Sequence, residues 1–313
     1  MSQPIRLATR GSPLALAQSG QVAATLQAAT GREVTLVVVT TGGDRVQDRP
    51  LHDAGGKGLF TKEIELALLA READVAVHSF KDVPVTQPLV PDSATALVVA
   101  GVPVREDVRD VLIVREGAVA VSELPAGARV GTTSLRRRAL LLDARPDLHI
   151  STLRGNVDTR LGKLAEGAFD AIVLAAAGLK RLGRFDAARM HPLPVAAFVP
   201  AAGQGALALQ CRADDAALVA ALGGLSDRAT ADCVAAERAV VRLLDGDCQS
   251  PIGAYAWFEG GSMHLRVAVG RAGGELPVVR GEVAGEAVPA ALAESAVNRI
   301  TRATASDSGG HKA

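Results

Sequence analysis

Between Ile5 and Ala175 the chain keeps alternating two hydrophobic rhythms, and most of the changes carry a helix-capping residue beside an arginine. Ile5–Thr9 is a short apolar run of the kind that forms a strand. Ser12 then offers an N-cap with Pro13 at the first helical position, and the helix is predicted to run to Thr30 and stop at Gly31. Residues 34–39 form a run rich in β-branched residues that predicts a buried strand, 59–71 have helical spacing, and 74–79 are a strand again. Strands are predicted over 111–114, 129–131, 148–153, 171–175 and 206–211, and helices over 135–144 and 157–166. This alternation predicts α/β units built on mostly parallel sheets with covering helices.

After about Ser226 the texture changes. A helix over 229–244 precedes a Gly-rich loop, three candidate strands (254–258, 264–269, 278–283) and a last helix over 289–302, which together read as an α+β unit with an antiparallel sheet. The three prolines of 190–200 mark a crossing segment. The small, polar residues after 303 are predicted to be disordered. Segment 41–58, with five glycines among charged residues and few apolar anchors, reads as a mobile lid. At 313 residues the chain has room for two or three domains.

Charge narrows the function. The 34 basic residues balance 34 acidic ones, and aromatic residues are 3% of the chain, so the basic surplus and stacking rings of a nucleic-acid binder are missing. No apolar run approaches the length that spans a bilayer, and the N-terminus has no export-signal pattern, so a cytoplasmic protein without a membrane partner is expected. Cys211, Cys233 and Cys248 are too widely spaced for a disulfide framework or a zinc motif, and the histidines have no metal-ligand spacing.

Only 6 of the basic residues are Lys and 28 are Arg, and many Arg fall at strand-to-helix junctions. Arg10 precedes the Ser12 cap, Arg136 and Arg137 follow Thr132-Thr133-Ser134, Arg154 precedes Gly155-Asn156, Arg160 lies a turn further on, and Lys180-Arg181 follow a strand. In open parallel sheets ligands bind beyond the carboxyl ends of the strands, where helix N-termini present free amides to anions. Guanidinium forks at several such junctions point to a ligand with several carboxylates or phosphates. Gly55-Gly56-Lys57-Gly58 is not a nucleotide loop, since Leu51 stands where that motif needs Gly and Gly58 where it needs Ser or Thr. From spacing alone, Asp82 is either a turn residue ahead of Pro84 or a proton-transfer carboxylate beside Lys81. Cys248, in a Gly/Pro loop, is either a bystander thiol or an attachment point.

Together these stretches resemble the porphobilinogen deaminase (hydroxymethylbilane synthase) family. The resemblance is carried by Leu7-Ala8-Thr9-Arg10-Gly11-Ser12-Pro13-Leu14-Ala15-Leu16, Gly55-Gly56-Lys57-Gly58-Leu59-Phe60, His78-Ser79-Phe80-Lys81-Asp82-Val83-Pro84 and Gly131-Thr132-Thr133-Ser134-Leu135-Arg136-Arg137-Arg138. It continues through Leu153-Arg154-Gly155-Asn156-Val157, Ala177-Gly178-Leu179-Lys180-Arg181-Leu182, Gly203-Gln204-Gly205-Ala206 and Cys248-Gln249-Ser250-Pro251-Ile252-Gly253, in family order over nearly the whole chain. Gly42 and Asp53 depart from common family residues, both within the lid.

The resemblance implies two lobes like those of type II periplasmic binding proteins (1–101 with 197–222, and 102–196), a C-terminal cofactor-attachment domain (223–303) and a disordered tail (304–313). It implies a transferase of tetrapyrrole biosynthesis that joins four porphobilinogen molecules on a dipyrromethane cofactor, loses ammonia at each addition and releases hydroxymethylbilane. The cofactor would be a thioether on Cys248, with Lys81, Asp82, Thr132, Ser134, Arg136, Arg137, Arg154, Gly155 and Arg160 around it. Arg10, Ser12, Ser79, Arg181 and Gln204 would bind substrate, Asp82 would be the catalytic carboxylate, Lys57 and Phe60 would belong to the lid, and no metal is implied. A monomer is expected, since no large apolar stripe calls for a partner. Two rival readings are a two-lobed solute-binding module, which would need neither Cys248 nor a third domain, and an inactive descendant of the enzyme, which would have no use for an intact Asp82 and Cys248.

Overall fold

The computed structural model describes residues 3–45, 58, 61–86, 96–247 and 249–309. The chain divides into two compact units, Met1–Glu106 with Arg181–Gly183 and Gly205–Ala231, and Asp107–Lys180 with Arg184–Gln204 and Asp232–Ala313.

The first unit is built on β1 (Ile5–Thr9), α1 (Pro13–Thr30), β2 (Val34–Val38), α2 (Gly42–Arg45), α3 (Lys62–Leu69), β3 (Val75–Ser79) and β4 (Leu97–Gly101). The second takes up β5 (Asp110–Val114), β6 (Arg129–Gly131), α4 (Leu135–Ala144), β7 (His149–Ser151), α5 (Val157–Ala165), β8 (Ala171–Ala175), α6 (Ala176–Arg181) and β9 (Met190–Pro192). The chain then supplies β10 (Leu207–Arg212) and α7 (Ala216–Gly223) to the first unit. After α8 (Arg228–Leu243) come β11 (Ile252–Glu259), β12 (Ser262–Arg271), β13 (Glu275–Gly285) and α9 (Pro289–Gly309).

The first sheet has the order β2-β1-β3-β10-β4, with β10 running against its neighbours and the β1 pairings parallel. The second has the order β7-β6-β8-β5-β9, with β5 as its reversed strand. Because β1 and β3 are parallel, the loops that leave them emerge at one end of the sheet, and the same holds for β6 and β7. Each sheet is buried by helices. Val22 and Leu26 of α1 and Leu218 and Leu222 of α7 pack with Leu7, Val75 and Leu209, while Leu140 and Leu141 of α4 pack with Leu112, Val130 and Val173. Each fully buried Leu contributes about 1.5–3 kcal/mol. The third sheet, β11-β12-β13, is antiparallel throughout and buries Met263, Leu265 and Val267.

The predicted caps form as expected. Ser12 Oγ accepts from Ala15 N, Pro13 opens α1, and Gly31 closes it in the left-handed region. Ser134 caps α4 and Asn156 caps α5. Four expectations are corrected. Residues 34–38 form the sheet's edge strand, with Leu36 40% and Val38 58% exposed, so the β-branched run does not mean two-sided burial. The crossing segment 190–200 contributes the short strand β9. The strand predicted over 148–153 is confined to His149–Ser151. The last helix runs to Gly309 instead of ending at Arg302, because no Gly or Pro interrupts 303–308. β4 and α7 were not foreseen. Most of the predicted lid, 46–57, lies outside the described residues.

Candidate active site

In the first unit the site residues gather at the carboxyl ends of β1 and β3. Arg10 and Ser12 leave β1 and enter α1. Ser79 ends β3 and passes into a single 3-10 turn, Phe80–Asp82, which carries Lys81 and Asp82 into partial exposure. The bonds that hold this turn include Phe80 N donating to Ala206 O at 3.0 Å, Val83 N donating to Phe80 O at 3.1 Å, and Gln18 Nε2 of α1 donating to Ser79 Oγ at 3.0 Å. Ala206 comes just before the reversed strand β10, whose Leu207 pairs with Ser79, so the loop at 205–206 reaches the same end of the sheet. There Arg181 Nη2 donates to Gly205 O at 2.8 Å. Burial lowers the Arg181 pKa, and the charge of Glu106 opposes the shift.

Beneath the turn lies a buried polar chain. His78 Nε2 meets Gln210 Oε1 at 3.0 Å, and Gln210 Nε2 donates to Glu65 Oε1 at 3.0 Å. Burial lowers the His78 pKa to about 4 against the pull of the Gln210 bond, and the charge of Arg10 adds to the fall. The imidazole is therefore neutral at physiological pH and meets Gln210 as a donor from Nε2. Burial raises the Glu65 pKa, with the Gln210 bond acting the other way.

In the second unit the parallel pairing of β6 and β7 brings the Thr132–Ser134 and Leu153–Asn156 junctions to neighbouring strand ends. Thr132 Oγ1 accepts from Ser134 N at 3.2 Å, and Ser134 Oγ accepts from Arg137 N, so both hydroxyls shape the start of α4. Arg136 and Arg137 turn inward. They are 3% and 7% exposed and share Asp110, the first residue of β5, which is fully buried. Arg136 Nη1 donates to Asp110 Oδ2 and to Val199 O, each at 2.7 Å. Arg137 donates to Asp110 Oδ1 from Nε at 3.0 Å and Nη2 at 2.8 Å, and from Nη1 to Val173 O at 3.0 Å. Gln204, 1% exposed, adds its Nε2 to Asp110 Oδ1 at 2.9 Å and to Val108 O at 2.7 Å. Burial by itself pushes the Asp110 carboxyl up, but the charges of Arg136 and Arg137 more than offset this and hold it well below the usual carboxylate range.

Two guanidinium nitrogens in this unit, Arg136 Nε and Arg154 Nη1, are buried with no hydrogen-bond partner among the described residues. A buried cationic donor without an acceptor is costly unless something binds it. Beside Arg154, Gly155 has φ +111°, and a Cβ there would stand 2.6 Å from Thr159 Cγ2, so only glycine fits the approach to α5. Arg160 Nε donates to Gly155 O at 2.8 Å, which fixes the next cation along. Lys57, Phe60 and Cys248 lie outside the described residues.

Sequence reasoning missed the carboxylate that organises this end of the second sheet. The available signal was Asp110 itself, an acid opening the otherwise apolar run Val111-Leu112-Ile113-Val114. Gln18, Gln210 and Glu65 were missed as well, and no local pattern marks them.

The chain matches the family model described as "Porphobilinogen deaminase, dipyromethane cofactor binding domain" over residues 5–220, and the model "Porphobilinogen deaminase, C-terminal domain" over 231–300. The chain belongs to the porphobilinogen deaminase family. Among the family's curated members, the porphobilinogen deaminase of Sorangium cellulosum (strain So ce56) is 52% identical over 267 residues, 85% of this chain and 86% of the relative. That of Syntrophobacter fumaroxidans is 49% identical over 272 residues, 87% and 85% of the two chains. Solved structures that resemble the chain include the periplasmic VFT2 domain of Bordetella pertussis BvgS (16% identity, 71% of this chain and 86% of that one, TM-score 0.41). Another is a Salmonella typhimurium periplasmic binding protein of high arginine specificity (13% identity, 74% and 94%, TM-score 0.40).

The two five-stranded sheets each have one reversed strand second from the edge, and the C-terminal part is a small antiparallel α+β domain. The cofactor of the porphobilinogen deaminase family is a dipyrromethane, and the residues present fit such a polycarboxylate. Arg136 Nε and Arg154 Nη1 await acceptors, and two capped helix starts lie beside them. Among the described residues no helix is long and apolar enough to cross a membrane, and no group of side chains has the make-up of a metal site.

Proposed function

We propose that this chain condenses four porphobilinogen molecules head to tail on a dipyrromethane primer joined to Cys248, losing ammonia at each addition and releasing hydroxymethylbilane. The observation that carries this reading is the pair of buried guanidinium nitrogens, Arg136 Nε and Arg154 Nη1, left without acceptors at adjacent strand ends. When bound, the dipyrromethane supplies the two-pyrrole primer to which new units are joined. Arg136, Arg137, Arg154 and Arg160, with Lys81, Thr132, Ser134 and the Gly155 backbone, bind its carboxylates. Arg10, Ser12, Ser79, Arg181 and Gln204 hold those of the incoming substrate.

Asp82 is the catalytic carboxylate. Loss of ammonia from porphobilinogen leaves a cation, which a carboxylate beside the pyrrole N–H stabilises. The same group takes part in moving the proton released when the new carbon–carbon bond forms. Partial exposure of Asp82 at the end of a braced turn suits that task. We read the chain as a cytoplasmic monomer in which 1–101 with 197–222, 102–196 and 223–303 are separate domains.

Intact-mass measurement of the purified protein tests the attachment. The expected result is an adduct of two pyrrole units that is lost in Cys248→Ser. An unmodified mass in active enzyme would refute it. Asp82→Ala should keep its fold and lose about 10²–10⁴-fold in bilane formation. Turnover near the wild-type rate would take Asp82 out of the mechanism.

A further inference from the structure

We infer that Glu237 is a positioning residue for cofactor loading, acting on Arg136 through the segment 199–203. The inference rests on the reading that Arg136 holds a cofactor carboxylate.

The argument lies within the second unit. Glu237, on α8, is fully buried, and its two carboxylate oxygens serve two different pieces of chain. Oε2 accepts from Gly203 N at 2.7 Å, and Oε1 accepts from Ala256 N at 2.9 Å. Ala256 lies in β11, the strand that follows Cys248 in the chain. Gly203 closes a segment whose other end is bound to the same strand, since Ala254 N donates to Pro200 O at 2.9 Å. The carbonyl of that end, Val199 O, receives Arg136 Nη1 at 2.7 Å. It is pressed closely on β11: a Cβ added to Gly253 would stand 2.6 Å from Val199 O.

The route is therefore short. Glu237 ties 203 to β11, the Ala254–Pro200 bond and the Gly253 approach tie 199–200 to β11, and Val199 O, together with Asp110, holds Nη1 of the guanidinium whose Nε has no acceptor among the described residues. Glu237 accepts from two amides at once, one on each carboxyl oxygen. A glutamine in its place offers one oxygen, and its NH₂ group would face an N–H. Releasing either amide lets the 199–203 segment slacken and Arg136 lose its aim. The defect belongs to binding, because Glu237 touches no reacting atom.

The test uses the full-length chain produced without a supply of porphobilinogen, then given porphobilinogen at increasing concentration, with adduct formation followed by intact mass. In Glu237→Gln the half-saturating concentration for loading should rise about tenfold while the plateau rate stays within about threefold of wild type. Glu237→Asp keeps the charge but is too short to reach both amides, so it should move the same way. It also serves if the Gln variant does not fold. Leu265→Ala, a cavity in the third sheet, lowers stability without touching this network and should load as wild type does. Wild-type half-saturation in both Glu237 variants would overturn the inference. So would a defect confined to the plateau rate, or a loading loss in Leu265→Ala that matches theirs. A wild-type chain that gains no pyrrole mass would overturn the reading beneath the inference as well.

Discussion

The two lobes share a strand order and use their reversed strand in opposite ways. In the first sheet the charge on that strand is Arg212, at the last position of β10, opposite the amino end of β3. It is 3% exposed and gives Nη1 to Leu68 O and Ala73 O at 2.7 and 2.6 Å, and Nη2 to Asp74 at 3.1 Å. In the second sheet the charge is Asp110, at the first position of β5, opposite the carboxyl end of β8. One buried charge sits at the base of its sheet, far from the ligand end, and the other sits at the ligand end and orients two arginines toward it. Arg212 Nε is also buried without an acceptor among the described residues, but at the end of the sheet away from the site, so Arg212 is a matter of stability, whereas Asp110 joins stability to function.

Breaking Asp110 should have the largest effect. Asp110→Asn leaves two buried guanidinium groups without a counter-charge, a loss of about 3–5 kcal/mol in urea unfolding. Its intact mass should lack the pyrrole adduct even where the chain remains folded. Full loading at wild-type stability would erase the contrast.

His78 gives the next effect, through pH. Its folded pKa of about 4 lies below the ordinary 6.5, so the unfolded chain takes up a proton that the folded chain refuses. The stabilisation is complete above about pH 6.5 and is lost as pH falls toward 4, by about 3 kcal/mol in all. Glu65 acts the other way, since a raised carboxyl pKa favours the folded state as pH falls. The difference between wild type and His78→Asn, measured by urea unfolding from pH 7 to 4, isolates the imidazole. Parallel stability curves for the two would show that His78 titrates normally.

Arg212→Met should cost about 2 kcal/mol by orphaning two carbonyls, and should leave cofactor loading unchanged. A loading defect there would dissolve the difference between the lobes. Smallest of all, Ser12→Ala should cost about 1 kcal/mol as a lost N-cap, seen as a modest fall in the thermal midpoint.

What could be read from the sequence follows a physical line. Caps and short apolar runs are local, and so α1 from Pro13 to Thr30, α4 after Ser134 and α5 after Asn156 were legible residue by residue. The arginine-rich junctions were legible because parallel strands send their exits to one end. Partners were not. The partners of Arg136 and Arg137 lie 26 and 27 residues upstream at Asp110, and Gln210 lies 132 residues from His78, separations that no window of sequence spans. Burial of β2 was overestimated because a β-branched run records strand propensity and says nothing about whether a neighbour covers each face.

The reversed strand β10 also sets an order on synthesis. The first sheet has β1, β2, β3 and β4 in hand by residue 101, yet the strand that joins β3 to β4 is Leu207–Arg212. The second sheet draws all its strands from 110–192 and can close while the first still lacks its fifth strand, β10. On the ribosome the lobe that begins first is the later one to be completed. Until then it exposes the unpaired edges of β3 and β4, the kind of surface that pairs with other chains.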